Sequence, residues 1–269
     1  MTALPIYQVD AFTNKTFGGN PAAVVPLKTW LPDDVMQNIA IENNLSETAF
    51  FIPTDKDYHL RWFTPTYEID LCGHATLATS HVILNELHPE QDHVIFETNV
   101  SGNLTVTKSE DNLVMDFPSL PLETVALNDI PQSVLEGLDH PEILEVHISK
   151  NKKLVLLLKD EQSVRALNPN FSILLEYPSS VIVTAPSDDT KYDFVSRYFC
   201  AYDFSIQEDP VTGSAHCMLI PYWAKKLSKN TLNAYQASKR GGELFCELKG
   251  DRVFIKGQTK IYLKGEIYV

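Results

Sequence analysis

The spacing of apolar residues along the chain predicts short strands separated by turns, with three amphipathic helices among them. Residues 5–10 alternate between apolar and polar, and residues 22–25 and 49–52 are short apolar runs beside turn residues, as in strands. Pro32 and the two acids after it open a helix, because proline suits a first turn and acids complement the dipole. This helical segment is expected to end around Glu47, immediately before the second apolar run.

Two later stretches share one pattern: a polar turn, a single glycine, and a small polar residue that opens an amphipathic helix. Gly73 lies in the stretch DLCGHAT and Gly213 in DPVTGSAH, 140 residues further on. A meander of predicted strands follows each helix, and its hairpin glycines, Gly102 and Gly242, show the same offset of 140. Two matched pairs within the same order of elements predict an internal duplication.

The duplication predicts two similar α+β lobes, each with a sheet wrapped around a central helix and with a cleft between them. We expect an N-terminal lobe over residues 1–120 and a C-terminal lobe over residues 121–269, with the option that the last strands return to the first lobe. Two prolines within residues 118–124 interrupt the strand pattern and mark the boundary.

Composition narrows the class of partner. The 269 residues are 44% hydrophobic and 21% charged, which is typical of a globular protein, and the net charge is -13. An acidic chain argues against nucleic acid, which binds clustered lysine and arginine. The sequence has no basic amphipathic helix, no long apolar run and no signal-peptide pattern, so we expect no membrane partner. Four scattered cysteines without a CxxC motif favour a reducing cytoplasmic location.

The two predicted helix starts suggest the chemistry of the ligand. The first backbone N–H groups of a helix lack partners within the helix, and the dipole adds positive potential there. Two such helix starts that face each other would hold a small carboxylate from both sides.

Several side chains near these turns are candidates for acid/base work. Glu47 stands beside the apolar residues 49–51 and would be partly desolvated, as a general acid or base requires, although a capping or surface glutamate is an open alternative. His74 follows the first glycine and is either a site residue or a hydrogen-bonded structural histidine. Asp209 and Ser214 flank the second glycine, where turn formation and helix capping are the alternatives.

The cysteines and histidines were also considered for thiol and metal chemistry. Cys72 is either a thiol base whose pKa the helix start lowers, or a small buried residue. A zinc site from Cys72, His74, His216 and Cys217 is disfavoured, because His216 and Cys217 are adjacent and point to different helix faces. We therefore predict no metal. The sequence also lacks the common nucleotide-binding and hydrolase motifs, so we predict no cofactor.

Six ordered segments together resemble the PhzF-like isomerase family of phenazine biosynthesis. The segments are 10–13 (DAFT), 17–24 (FGGNPAAV), 45–50 (LSETAF), 72–78 (CGHATLA), 208–215 (EDPVTGSA) and 236–242 (QASKRGG). The resemblance implies the diaminopimelate-epimerase-like fold, with two pseudo-symmetric lobes that each form a β-barrel-like sheet around a central helix. It also implies a cofactor-independent isomerase of a small carboxylate, usually a homodimer, with its site between the lobes.

Roles carried over from the family are assigned by motif. The resemblance implies that Glu47 shuttles the proton, and that His74 and Asp209 contact the substrate and assist. It implies a substrate-binding set comprising Gly73, Gly213, Ser214 and Asn20, with Cys72 as a possible thiol helper.

Two further hypotheses remain open beside the isomerase. Related epimerases use a cysteine at each helix start, but here Cys72 fills the first position and Thr212 the second, so a two-thiol racemase or epimerase lacks one base. A non-catalytic metabolite-binding protein would keep the cleft without moving a proton.

Overall fold

The structure, a computed structural model, describes residues 1–200 and 206–269, and the chain divides into two compact units. The first unit comprises Met1–Phe117 together with Phe254–Val269, and the second comprises Pro118–Val253. Within the described residues, no helix combines the length and the apolar character needed to cross a membrane.

The first unit is a mixed sheet with two helices. Its elements are β1 (Ala3–Ala11), β2 (Asn20–Pro26), α1 (Asp33–Asn43), β3 (Glu47–Pro53), β4 (Tyr58–Phe63), β5 (Glu68–Ile69), α2 (Gly73–His81) with a π-helical segment (Val82–Leu87), β6 (His93–Glu97), β7 (Leu104–Ser109), β8 (Asn112–Pro118) and β18 (Thr259–Tyr268). The strand order is β18-β1-β2-β3-β4-β6-β7-β8, and β5 also pairs with β4. The pairs β2–β3 and β4–β6 are parallel, because a helix crosses over between the two strands of each.

The second unit follows the same plan. Its elements are β9 (Leu122–Val125), a 3-10 turn (Leu127–Asp129), α3 (Gln132–Gly137), β10 (Ile143–Ser149), β11 (Leu154–Leu158), α4 (Glu161–Ala166), α5 (Phe171–Leu174), β12 (Val181–Pro186), β13 (Phe194–Phe199), β14 (Glu208–Asp209), α6 (Gly213–Leu227), β15 (Thr231–Gln236), β16 (Gly242–Lys249) and β17 (Arg252–Gly257), the last of which leads into the first unit. The strand order is β9-β10-β11-β12-β13-β15-β16, and β14 also pairs with β13.

The two units repeat one topology. In each, a parallel crossover leads to an antiparallel pair, then to a two-residue strand, a largely buried helix and a second parallel crossover. Helix α2 therefore corresponds to α6, and β5 to β14, at the predicted offset of 140. The predicted α+β fold with two pseudo-symmetric halves is confirmed.

The predicted equivalence of the two hairpin glycines, Gly102 and Gly242, is wrong by one residue. Gly102 has a positive φ of 70°, but Gly242 begins β16, and the left-handed residue of the second hairpin is Gly241, with φ 67°. The second hairpin loop is one residue shorter, with five residues between its strands against six. The left-handed position has therefore moved by one residue relative to the helix start.

Helix α1 ends earlier than predicted. Its last residue is Asn43, and Asn44 closes it in the left-handed conformation at φ 48°, which asparagine tolerates better than most residues. Glu47 is consequently the first residue of β3, paired with Ala22 on β2. The carboxylate thus sits at the end of a rigid strand.

Pro221 lies inside α6 and leaves one carbonyl without its helical donor. Proline has no N–H, so the Cys217 carbonyl four residues earlier cannot make its usual bond. The backbone N–H of Leu120 donates to that carbonyl at 2.9 Å. A backbone hydrogen bond therefore connects the first residues of the second unit to its central helix, α6.

A bidentate arginine–glutamate pair recurs in both units. Arg61 donates to Glu68 at 2.7 and 2.6 Å, and Arg197 donates to Glu208 at 2.7 and 2.8 Å. Each guanidinium also lies over the phenylalanine that ends its own strand, 5.1 and 4.9 Å from the ring centroid. Each pair fixes the short strand that leads into the central helix.

We predict that Arg197→Met lowers the free energy of unfolding by about 2–4 kcal/mol, because the carboxylate of Glu208, which is largely buried, loses its charged partner. Chemical denaturation measures the loss, and Arg197→Met/Glu208→Leu should recover part of it. The matched control is Lys249→Met, which removes an exposed partner of Glu247 and should cost less than about 1 kcal/mol. Equal losses in both single variants would contradict this prediction.

Candidate active site

Glu47 and His74 meet in the first unit. Glu47 begins β3, and His74 is the second residue of α2. The His74 Nε2 atom lies 3.0 Å from the Glu47 Oε2 atom, and their side chains are 5% and 12% exposed. The structure therefore brings together two of the predicted acid/base residues, with the carboxylate nearer to solvent than the imidazole.

The other nitrogen of the His74 ring is held by Asn20 and Cys72. The Asn20 Nδ2 atom lies 3.1 Å from Nδ1, and the Cys72 Sγ atom lies 3.4 Å from it. An amide nitrogen can only donate, so in the neutral form of the ring this arrangement makes Nδ1 the acceptor and leaves the ring proton on Nε2, facing Glu47. Because Asn20 is completely buried, its side chain serves the imidazole, and its assignment to substrate binding stays a prediction.

The position of Asn20 depends on the glycine before it. Gly19 adopts a positive φ of 60°, and a Cβ atom there would overlap the Ala11 carbonyl oxygen. Asn20 itself pairs with Ala11 at the start of β2. The glycine-rich turn therefore places the side-chain amide of Asn20 next to Nδ1 of His74.

The charges in this cluster oppose a thiolate. Burial, followed by the nearby Glu47 carboxylate, raises the pKa of Cys72 to about 11. The hypothesis that the helix start lowers the pKa of Cys72 is wrong, because desolvation outweighs the dipole. Burial also disfavours charge on His74, but interactions with Cys72 and Glu47 outweigh it and raise the pKa of His74 well above its usual value.

Three potential metal ligands come together here. Donor atoms of Glu47, Cys72 and His74 all lie within 4.8 Å of one another. The imidazole, however, stands between the other two, with Nδ1 toward the thiol and Nε2 toward the carboxylate. A metal ion binds one ring nitrogen, so a three-ligand site would require the ring to turn.

His216 and Cys217 have structural roles in the second unit. The His216 Nδ1 atom lies 2.8 Å from the Thr212 carbonyl oxygen, to which it must donate, and burial lowers the pKa of His216 to about 4. Cys217 is buried and its thiol points to the Gly213 carbonyl. A neutral, hydrogen-bonded His216 matches the structural alternative considered for lone histidines.

The predicted residues of the second unit cluster at the start of α6. Asp209 ends β14, and its Oδ2 atom accepts a hydrogen bond from the Thr212 hydroxyl. Gly213 is the first helical residue and is buried, whereas Ser214 is partly exposed. Thr212 occupies the N-cap position, so the alternative in which Ser214 caps the helix is wrong.

Both central helices begin without a side-chain cap. In the described residues, neither Cys72 nor Thr212, the two N-cap residues, accepts a hydrogen bond from its helix through its side chain. The positive end of each helix is therefore not compensated by a capping oxygen, which suits it to an anion.

Gln236 is a polar residue beside the start of α6 whose role the motifs of the sequence do not predict. It is completely buried, and its amide contacts Asp209 and Thr212. On β15 it follows Leu232 and Ala234 on the buried face of the strand. A glutamine at the inward end of an apolar alternation is the signal that could have revealed it, because a buried amide needs partners.

Comparison with known proteins agrees with this architecture. An uncharacterised isomerase of Pseudomonas aeruginosa is 46% identical over 267 residues, covering 99% of both chains. A crystal structure of a phenazine biosynthesis protein of the PhzF family from Enterococcus faecalis has 48% identity and a TM-score of 0.92, covering both chains completely. A hydroxyproline epimerase from Agrobacterium vitis shares the fold alone, with a TM-score of 0.61 at 12% identity, covering 99% of this chain and 91% of the other.

The fold and these relatives define the protein as an isomerase with the diaminopimelate-epimerase-like fold. Residues 9–267 match the family described as phenazine biosynthesis-like protein. The chain therefore belongs to the PhzF family.

We predict that Asn20→Asp moves the ring proton of neutral His74 from Nε2 to Nδ1, because a carboxylate there can only accept. In the part of a pH series where His74 is neutral, histidine ¹⁵N NMR should show a bare Nδ1 in the unmodified protein and a protonated Nδ1 in Asn20→Asp. Asn43→Asp, a matched control whose amide contacts Thr48, should leave the His74 signals unchanged. A protonated Nδ1 in the unmodified protein at every pH would contradict the assignment.

Proposed function

We propose that this isomerase is cofactor-independent and shifts a proton on a small carboxylate substrate, with Glu47 as the acid/base. The observation that carries the proposal is the contact between the Glu47 carboxylate and His74 Nε2 at 3.0 Å. In the reaction, the carboxylate takes a proton from one carbon of the substrate and returns it to another. No atom is gained or lost, and His74 stabilises the charged and neutral forms of the acid in turn.

The exposure of the two side chains supports this division of roles. Glu47 is the more exposed partner, and His74 lies behind it against Asn20 and Cys72. A shuttling acid must reach substrate, yet be shielded from bulk water so that the proton is not exchanged. In this proposal His74 and Asp209 assist the transfer from the first and the second unit respectively.

The uncapped helix starts support a carboxylate substrate. Gly73 and Gly213 present the first backbone N–H groups of α2 and α6, and the Ser214 hydroxyl lies one residue further on. A chain with a net charge of -13 repels anions at long range, so a carboxylate needs such local positive ends. We propose that Gly73, Gly213 and Ser214 bind it.

We predict that Glu47→Gln lowers kcat by about 10²- to 10⁴-fold, because the amide cannot carry the proton. The assay follows carbon-bound protons by NMR in heavy water, with dihydro-hydroxyanthranilate and a panel of amino acids as substrates. Dihydro-hydroxyanthranilate is the cyclic carboxylate that the family resemblance suggests.

The matched control is Glu42→Gln, the same change on the exposed side of α1, which should keep the full rate. Retained turnover in folded Glu47→Gln would remove Glu47 from the mechanism. Failure of the unmodified protein to isomerise or exchange any compound, together with tight binding of one of them, would favour the metabolite-binding alternative.

The epimerase alternative has support from the fold shared with the hydroxyproline epimerase. Two features of the chain oppose it. The pKa of Cys72 is raised to about 11, so the thiol is protonated at neutral pH, and Thr212 supplies a hydroxyl where a second thiol would be required. We therefore rank the carboxylate mechanism first. The homodimer remains a prediction from the family resemblance, to be measured by light scattering.

We predict that Cys72→Ser keeps kcat within about fivefold of the unmodified protein, since the serine preserves a small donor beside His74 Nδ1. The same NMR assay measures it. A loss of more than about 10³-fold in a folded Cys72→Ser variant, with exchange surviving in Glu47→Gln, would transfer the chemistry to the thiol.

A further inference from the structure

The loop that carries Asp209 is held by a chain of hydrogen bonds whose directions are all determined. The backbone N–H of Thr212 donates to Gln236 Oε1 at 2.8 Å, and a backbone N–H cannot accept. The oxygen end of the glutamine amide is thereby fixed toward Thr212. The amide nitrogen therefore occupies the other terminal position of the side chain.

The nitrogen end of that amide fixes the threonine hydroxyl. Gln236 Nε2 donates to the Asp209 carbonyl oxygen at 2.7 Å and reaches Thr212 Oγ1 at 3.2 Å. Because Nε2 can only donate, Oγ1 accepts from it and directs its own proton elsewhere. The remaining partner of Oγ1 is the Oδ2 atom of Asp209.

We propose that Gln236 and Thr212 are positioning residues, which act through this relay to hold Asp209 as a hydrogen-bond acceptor in one orientation. The inference rests on the proposed role of Asp209 in proton transfer. Gln236 is completely buried and Thr212 is 8% exposed, so the relay is shielded from competing water.

The relay gives Thr212 a function at a position where related epimerases carry a thiol. Its side chain does not cap α6, although threonine at an N-cap usually does so. A hydroxyl turned away from its own helix toward a carboxylate loses that capping contribution. We attribute the missing cap to the second task of this hydroxyl, which is to orient the Asp209 carboxylate.

The surroundings fix the backbone of Asp209 as well. Asp209 pairs with Tyr198 across β13 and β14, and the neighbouring Glu208 is held by Arg197. The Ser238 hydroxyl donates to the Pro210 carbonyl at 2.8 Å. With the backbone fixed, the hydrogen bond from the Thr212 hydroxyl to Oδ2 helps to hold the side-chain rotamer of Asp209.

The test compares Thr212→Val, which keeps the shape and removes the hydroxyl, with Thr212→Ser, which restores it. We expect kcat of Thr212→Val to fall about 10- to 100-fold with KM changed less than threefold, since misplacement of a reacting group mainly slows the chemical step. Thr212→Ser should recover most of the rate. Gln236→Glu, which removes the fixed donor, should resemble Thr212→Val.

A second readout does not depend on turnover. The ¹³C carboxyl NMR signal of Asp209, assigned with Asp209→Asn, should shift in Thr212→Val and return in Thr212→Ser. The matched control is Thr184→Val, which removes another buried hydroxyl of the same unit, one that donates to Val195 and accepts from Trp223. This variant should change neither kcat nor the Asp209 signal.

The outcomes separate this inference from the proposed function. An unshifted Asp209 signal in folded Thr212→Val would overturn the relay, whatever the activity. A shifted signal in a protein whose Asp209→Asn variant retains full kcat would uphold the relay and remove Asp209 from the mechanism. Equal loss of kcat in Thr212→Val and Thr212→Ser would reduce Thr212 to a packing residue and overturn the inference.

Discussion

A carboxylate held against a buried imidazole is the interaction on which the first unit depends. An unpaired ionised group in such a place would cost several kcal/mol, so Glu47 requires a donor and His74 requires a fixed ring. The Nε2 atom lies 3.0 Å from the Glu47 carboxylate, and Asn20 and Cys72 contact the other nitrogen of the ring. The glycine-rich turn, the first residue of β3 and the start of α2 all converge on this one contact.

The duplicated topology shows how one backbone arrangement accommodates two different sets of side chains. The carbonyl of Cys72 accepts from the hydroxyl of Thr76, and the equivalent carbonyl of Thr212 accepts from the imidazole of His216. The helix starts are thus stabilised in the same place by different side chains. Divergence has occurred in the groups around the helix start, whereas the arrangement of strands and helix has been retained.

Much of the fold follows from sequence pattern, because long strands and helices repeat their period several times. The predicted strands over residues 5–10, 22–25 and 49–52 lie within β1, β2 and β3. The two-residue strands and the helices of four to six residues, such as α5, were missed, because less than two turns of helix carry no readable period. The resemblance suggested roles for Glu47 and His74, but the contact of Asn20 with a residue 54 positions away is set by tertiary structure.

In both units a buried side-chain amide orients the group that contacts a carboxylate, which is Glu47 in the first unit and Asp209 in the second. In the first unit a buried amide, Asn20, contacts Nδ1 of the imidazole, and the other ring nitrogen faces Glu47. In the second a buried amide, Gln236, leaves the hydroxyl of Thr212 with one direction, toward Asp209. A buried amide is suited to this task because its donor and acceptor ends are distinct and it does not titrate. In the proposed mechanism, the acid/base groups can therefore change protonation state while the two amides that orient them stay unchanged.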